Sequence, residues 1–185
     1  DSERTQLVAD ELENATATTD VADIRQADAI ITVSSAGKEL ILPEHLRAGA
    51  VVCDVARPRD VSVRVSKERP DVLVIEGGVV KVPGNVEFNF RFGFPEKTAY
   101  ACMSETMMLA LEGRVENFTL GKDVTVEQVD EINRIAHKHG FDLAGYRSFE
   151  RAVDDAAINR AIEARKKSAQ GAMRSQAPEF AQQTP

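Results

Sequence analysis

The sequence predicts an α/β fold with a parallel β-sheet, and three short apolar segments carry that prediction. AIITVSS (29–35), AVVCDVA (50–56) and DVLVIEGG (71–78) are rich in Ile and Val and have the length of fully buried strands. Helical or loop segments separate them, and strands that alternate with helices pair in parallel through crossover connections. The pattern indicates the second half of a doubly wound, Rossmann-like sheet, followed by C-terminal helices.

Helices are predicted before and between these strands. Ser2 is a candidate N-cap of the first helix, and Pro70 ends the segment before the third strand. The predicted elements of this half are, in order, a helix over 1–15, a β-prone stretch at 15–19, a helix of one or two turns at 20–28, a short helix from Pro43 to Arg47, and a partly helical connector at 60–70.

The C-terminal half is predicted to be helical. Pro95 is a candidate first residue of a long helix that ends at Gly113, because proline suits the first turn of a helix and glycine its end. Thr125, with a glutamine three residues later, forms a capping box for a second helix that Gly140 ends. A third helix is predicted over about 148–167, and the polar remainder is predicted to be disordered.

Composition argues against several classes of function. The net charge is −7, and the basic residues form no dense stripe except Arg165–Lys167, so nucleic-acid binding is not expected. Two cysteines without CxxC spacing and three histidines argue against a disulfide framework and against a metal site. No apolar run has the length of a membrane span and no signal sequence is present, so we expect a reducing, cytoplasmic compartment. The oligomeric state is left open.

The motif that a complete dinucleotide-binding domain needs does not occur in the 185 residues. Such domains hold the pyrophosphate with G-x-G-x-x-G between the first strand and the first helix. We therefore expect residues 1–94 to be a partial dinucleotide-binding domain, whose N-terminal half is supplied by the same chain or by another one. Residues 95–145 would form the C-terminal helices, and residues 146–185 a helical extension with a disordered tail.

The stretch from Val74 to Phe141 resembles the aldehyde-forming long-chain acyl-[acyl-carrier-protein] reductases. The motifs that carry this resemblance are EGGVV (76–80), PEKTAYACMSETMMLALEG (95–113), ENFTLG (116–121) and KHGF (138–141). The resemblance extends over about 1–144. It is looser before Gly77, where the chain is also similar to shikimate and methylenetetrahydrofolate dehydrogenases.

This resemblance implies an enzyme that uses NADPH to reduce a fatty acyl thioester to an aldehyde. The acyl donor would be an acyl carrier protein or acyl-CoA. The catalytic cysteine of the family lies in an F/Y-A-C-x-x-E segment, which this chain carries at Tyr100–Glu105. The resemblance thus implies that Cys102 takes the acyl group, with Glu105 in the same motif. Cysteine suits this work because it is a good nucleophile and also leaves well.

The residues alone leave two roles open for Cys102. Free cysteine is often a small buried hydrophobe, and Cys102 has apolar neighbours that would suit a core. The predicted helix places Cys102 about seven residues from its start, too far for the helix N-terminus to assist. His139 is the best candidate for an activating group, although its position before Gly140 equally suits a helix C-terminus.

Contacts with NADPH are predicted at the ends of the three buried strands, where the ligand crevice of an open α/β sheet lies. Glycines after the third strand would let the backbone approach the nicotinamide ring closely. Arg4 lies near the place where a 2′-phosphate is recognised, or it is an ordinary surface arginine. Asp54 and Arg57 could instead cap a loop, and Gly77–Gly78 could be only a tight turn. The candidate contacts are Ser34, Ser35, Ala36, Asp54, Arg57, Gly77 and Gly78.

Two other functions fit the sequence. One is a dehydrogenase of the shikimate or amino-acid type, in which hydride passes directly to a small carbonyl or imine and no cysteine is needed. The other is a non-catalytic module that keeps the nucleotide fold for binding or assembly. Alkylation of Cys102 would barely affect the former, and the latter would turn over no acyl donor.

Overall fold

The structure, a computed structural model, describes residues 2–90, 94–121 and 123–175. It divides into two compact units. The first contains the described residues up to Ile75 and those from Val153 onward, and the second is Glu76–Ala152. A three-stranded parallel sheet with helices confirms the predicted α/β class and is consistent with a partial Rossmann-like domain followed by C-terminal helices.

The bounds of the regular elements are as follows. The helices are α1 (Ser2–Asp10), α2 (Val63–Glu68), α3 (Ala101–Leu111), α4 (Val126–His139) and α5 (Asp155–Ser175). The strands are β1 (Ala29–Thr32), β2 (Val51–Asp54), β3 (Leu73–Glu76), β4 (Val79–Lys81), β5 (Thr98–Tyr100), β6 (Asp142–Leu143), β7 (Arg147–Ser148) and β8 (Arg151–Ala152). Two 3₁₀ helices cover Val21–Gln26 and Pro43–His45.

The parallel sheet of the first unit has the strand order β1-β2-β3. All three strands coincide with the apolar segments that predicted them. In β2 and β3 every second residue is buried, as in strands with one face against a core. Val52 is fully buried on that face, and Val65 of α2 is buried to 1% exposure. The burial of these apolar side chains stabilises the unit.

Within the first unit, helix α5 packs closely against Gly49. The φ of Gly49 is +75°, and a Cβ atom built there would overlap the backbone nitrogen of Arg165. Arg165 also forms a salt bridge with Asp28 at 3.1 Å. The absence of a side chain at Gly49 therefore permits the helix to approach the start of β2.

The third predicted helix, over 148–167, differs at both ends. Its first residues instead pair in the β7–β8 hairpin, where Arg147 lies opposite Ala152. The helix then continues through Gly171 to Ser175, so the disorder predicted from residue 168 is wrong over 168–175. Alanine, glutamine, methionine and arginine make up most of residues 168–175, and they favour helix even where the pattern is polar. Residues 176–185 lie outside the described part of the chain.

The second unit is built on an antiparallel sheet with the strand order β5-β4-β6. The buried core comes from this sheet, from the helices α3 and α4 and from the segments next to them, and it contains Val82, Ala99, Met108, Ile135 and Phe141. Helix α4 has the predicted limits, because Thr125 and the Gln128 side chain form the capping box and Gly140 adopts a left-handed φ of 79°. None of the helices in the described residues is long and apolar enough to cross a membrane.

Two N-terminal element predictions are wrong. Helix α1 ends at Asp10 rather than near residue 15, and residues 15–19 form no strand.

The helix predicted to start at Pro95 starts at Ala101, because Thr98–Tyr100 pair with β4. Ala99 is fully buried in that pairing, and threonine and tyrosine favour strands.

Candidate functional site

Cys102 is the second residue of α3, directly after β5, and its side chain is exposed. The position corrects two expectations: Cys102 lies at the start of its helix rather than seven residues inside it, and it is not a core residue of the described structure. Cys53, in β2, is half-buried. The turn from β5 into α3 therefore presents the Cys102 thiol at the surface of the second unit.

The start of α3 adjoins one of the predicted glycines. The Ala101 N–H donates a hydrogen bond to the Gly78 carbonyl oxygen at 2.8 Å. Gly78 has a left-handed φ of 82°, and open space lies where its Cβ would be. The pairing of Val79 with Tyr100 holds these two segments together. The structure thus brings Gly78 and Cys102, which are 24 residues apart, to one end of the same small sheet.

The first turn of α3 carries backbone N–H groups without intrahelical acceptors. That of Ala101 is used by Gly78, whereas the hydrogen bonds between described residues use neither that of Cys102 nor that of Met103. Such N–H groups, with the partial positive charge of a helix N-terminus, stabilise negative charge close to them. An anion that develops at the Cys102 thiol would therefore lie beside suitable donors.

Glu105 lies one turn after Cys102 on the same face of α3. Residues three apart on a helix are neighbours, with about 5–6 Å between their Cβ atoms. The Thr119 hydroxyl donates a hydrogen bond of 2.5 Å to Oε1 of Glu105. The half-buried carboxylate is therefore held by a side chain from outside the helix.

The segment that contains Thr119 folds back along α3. The Arg114 N–H donates to the Leu109 carbonyl oxygen at 2.9 Å, and the Arg114 guanidinium lies 4.9 Å from the centre of the Phe118 ring. A groove of about 410 Å³ runs between this segment and the face of α3 that carries Glu105. Polar and apolar side chains both line it, so the groove is amphipathic.

His139 has a different partner from the one expected. Its Nε2 lies 2.5 Å from a carboxylate oxygen of Glu112, the residue that directly follows α3. Glu112 is ten residues after Cys102, which corresponds to about 15 Å along a helix. The structure therefore does not bring His139 to Cys102, because the ends of α3 and α4 pair at the opposite end of α3.

Asp54, predicted to contact the cofactor, is fully buried at the end of β2. Its two carboxylate oxygens accept hydrogen bonds from the backbone N–H groups of Ala56 at 3.1 Å and Val61 at 3.0 Å. Both oxygens are thus engaged in holding the loop that follows β2. The observed role of Asp54 is to shape that loop.

Asp60 was missed by the sequence reasoning, although it organises the loop after β1. It is fully buried and accepts hydrogen bonds from the Thr32 hydroxyl, from the Ser34 N–H at 3.0 Å and from the Ser34 hydroxyl at 2.5 Å. Burial alone would raise the pKa of Asp60, but the hydrogen bonds from Ser34 and Thr32 outweigh it and lower the pKa. The signal available in the sequence was an isolated aspartate in the segment after β2. Its partners Ser34 and Thr32 could not be identified from it, because they lie 26 and 28 residues away in sequence.

The other predicted cofactor contacts of the first unit are exposed. Ser35 and Ala36 lie in the loop after β1, and at Gly37, with a φ of +65°, a Cβ would meet no other atom. Contact of this loop with a nucleotide cofactor stays a prediction. Arg57 is exposed in the loop after β2, and Arg4 is exposed on α1, which has no buried residue.

Comparison with known proteins finds partial relatives. The chain is 33% identical over 144 residues to Aminotransferase PigE of a Serratia species, a match that covers 75% of this chain and 16% of that protein. It is 29% identical over 126 residues to the Long-chain acyl-[acyl-carrier-protein] reductase of Synechococcus elongatus, covering 65% of this chain and 36% of that protein. No family model matches the chain. The chain thus spans a minor part of either relative and has a distant, partial relationship to the reductase.

Proposed function

We propose that this chain is the C-terminal, cysteine-bearing part of an NADPH-dependent reductase that converts a fatty acyl thioester into a fatty aldehyde. The observation that carries the proposal is the exposed Cys102 at the start of α3, with Glu105 on the same helix face and Gly78 beside it. The partial relationship to an acyl-[acyl-carrier-protein] reductase supports the class of reaction.

Cys102 would take the acyl group from the donor thioester. Glu105 accepts the thiol proton, and the Cys102 sulfur attacks the acyl carbon. The bond from that carbon to the donor sulfur breaks, and the leaving thiolate takes the proton back from Glu105. One thioester is exchanged for another, so this step needs no redox partner.

The backbone at the start of α3 would stabilise the transition state of this exchange. Attack on a thioester places negative charge on the carbonyl oxygen, and preorganised N–H donors lower the energy of that charge. The N–H groups of Cys102 and Met103 are proposed as these donors, because no hydrogen bond between described residues uses them. Their contribution does not depend on His139, which is paired with Glu112.

The cofactor would be held jointly with a nucleotide-binding segment that carries the glycine-rich loop. We propose that the exposed loop at Ser35 and Ala36 of the first unit contacts this cofactor. When bound, the reduced nicotinamide supplies the hydride that converts the Cys102 thioester to the aldehyde and frees the thiolate. We propose an N-terminal half, in the same or another chain, as the partner that completes this site.

The acyl donor would be an acyl carrier protein or acyl-CoA, since both present the acyl group as a pantetheine thioester. The name of the reductase relative favours the carrier protein as donor. Transamination, which the name of the other relative contains, is not proposed because the chain matches only 16% of that protein.

The proposal is tested by aldehyde formation in the full-length protein that contains this chain. Cys102→Ala should lower the rate by at least about 100-fold because it removes the nucleophile. Cys53→Ala is the matched control and should retain activity. Full activity in Cys102→Ala would favour the direct-hydride dehydrogenase, and no turnover of any acyl donor by the unsubstituted protein would favour the non-catalytic module.

A further inference from the structure

We propose that Thr119 is a positioning residue that holds the Glu105 carboxylate beside Cys102 during acyl transfer. The inference rests on the proposed function, in which Glu105 moves the thiol proton. It assigns a role to the ENFTLG segment, whose Thr119 lies 14 residues after Glu105 in sequence and contributes no group to the reacting atoms.

The Glu105 side chain has one carboxylate oxygen engaged by Thr119 and the other available. Long side chains in a helix tend to lean toward its N-terminus, and Cys102 lies one turn from Glu105 in that direction. Within the described part of the chain, the Thr119 hydroxyl is its single hydrogen-bond partner, at 2.5 Å. That bond engages Oε1 and leaves Oε2 as the oxygen that can exchange a proton with the Cys102 sulfur.

The segment that contains Thr119 is itself held in place by contacts with its neighbours. The Gln128 side-chain amide donates to the carbonyl oxygen of Phe118, the residue before Thr119. Arg114 joins the same segment to α4 through a salt bridge of 2.8 Å with Glu131, and its guanidinium lies over the Phe118 ring. The segment is thus tied to both α3 and α4, and Thr119 is presented from a fixed backbone.

A fixed carboxylate matters because proton transfer requires the two groups to be within hydrogen-bond reach. A glutamate side chain has several rotatable bonds and can occupy many rotamers unless a contact restricts it. Displacement of a catalytic group by about 1 Å can cost about 100-fold in rate. Thr119 would therefore act on the rate of acyl transfer and hardly at all on the binding of the donor.

The test compares Thr119→Val and Thr119→Ser in the full-length protein. Valine keeps the shape of threonine without the donor, and serine keeps the donor. The measurement is the rate of acylation of Cys102 by a long-chain acyl thioester without NADPH, as a function of donor concentration. Thr119→Val should lower the maximal rate about tenfold with half-saturation unchanged within about twofold, and Thr119→Ser should recover most of the rate.

A double-mutant cycle separates positioning from a merely structural contact. Glu105→Gln should lower the acylation rate about 100-fold, and adding Thr119→Val to it should cause no further loss. Equal rates for the valine and serine variants, or an undiminished effect of Thr119→Val in the Glu105→Gln background, would overturn the inference. Failure of the proposed function is distinguishable, because Cys102 would then not be acylated in the unsubstituted protein.

Discussion

His139 Nε2 lies 2.5 Å from the Glu112 carboxylate, and this contact joins the C-terminal ends of α3 and α4. Lys138 donates to the same carboxylate at 2.7 and 2.9 Å. Hydrogen bonds from Lys138 and then His139 lower the pKa of Glu112 from its usual 4.5 to about 2. Because the folded pKa is below the unfolded one, the contact stabilises the second unit above pH 4.5 and is lost as the pH falls toward 2.

Replacement of Glu112 by glutamine should remove this part of the acid dependence. Glutamine keeps the size of the side chain and cannot ionise. We expect the variant to be less stable than the unsubstituted protein near pH 6, with the difference shrinking between pH 4.5 and pH 2. Urea unfolding at a series of pH values measures it, and a difference that stays constant with pH would contradict the assignment.

The buried carboxylate of Asp60 should be important for the stability of the first unit. Asp60→Asn removes the charge that accepts hydrogen bonds from Thr32 and Ser34, and we expect a loss of about 2 kcal/mol in the free energy of unfolding. Asp10→Asn, on the exposed face of α1, is the matched control and should cost less than about 0.5 kcal/mol. Similar values for the two variants in chemical denaturation would show that the Asp60 network contributes little.

The close approach of α5 to Gly49 predicts a strong effect of a single methyl group. Gly49→Ala and Gly37→Ala both place alanine at a left-handed φ, which costs about 1–2 kcal/mol. At Gly49 the new Cβ would also overlap the backbone of Arg165, whereas at Gly37 it would meet open space. Gly49→Ala should therefore lower the thermal midpoint clearly more than Gly37→Ala. Equal shifts would mean that α5 does not pack there in solution.

The different exposure of the two cysteines predicts the order of their labelling. Cys102 is exposed and Cys53 is half-buried in β2. A short exposure to iodoacetamide, followed by peptide mapping, should modify Cys102 first and Cys53 about tenfold more slowly or not at all, because access limits the reaction. Faster modification of Cys53 would contradict the exposed position of Cys102.

Local signals predicted the parallel sheet and α4 well. The strands β1 to β3 are continuous apolar runs, and α4 begins and ends at Thr125 and Gly140, whose capping preferences act over three or four residues. The start of α3 could not be found in this way. Thr98–Tyr100 have residues compatible with either state, and pairing with β4, about 20 residues earlier, decides for a strand.

In the candidate site, too, local spacing was predictable from the sequence and contacts between distant residues were not. Cys102 and Glu105 share a helix face, so their proximity follows from spacing alone. The contacts of Asp60 with Ser34 and of Thr119 with Glu105 join residues 26 and 14 positions apart, and no periodicity encodes them. His139 was an expected partner of Cys102 because histidine can act as a base, but the contact between the C-terminal ends of α3 and α4 places it at Glu112.

The intact mass of the full-length protein tests the central claim most directly. The protein is incubated with a long-chain acyl thioester in the absence of NADPH and then digested for peptide mapping. The account predicts one acyl adduct, located on Cys102, which disappears with release of aldehyde when NADPH is added. A protein that binds the thioester and gains no adduct, or an adduct that persists when NADPH is added, would contradict it.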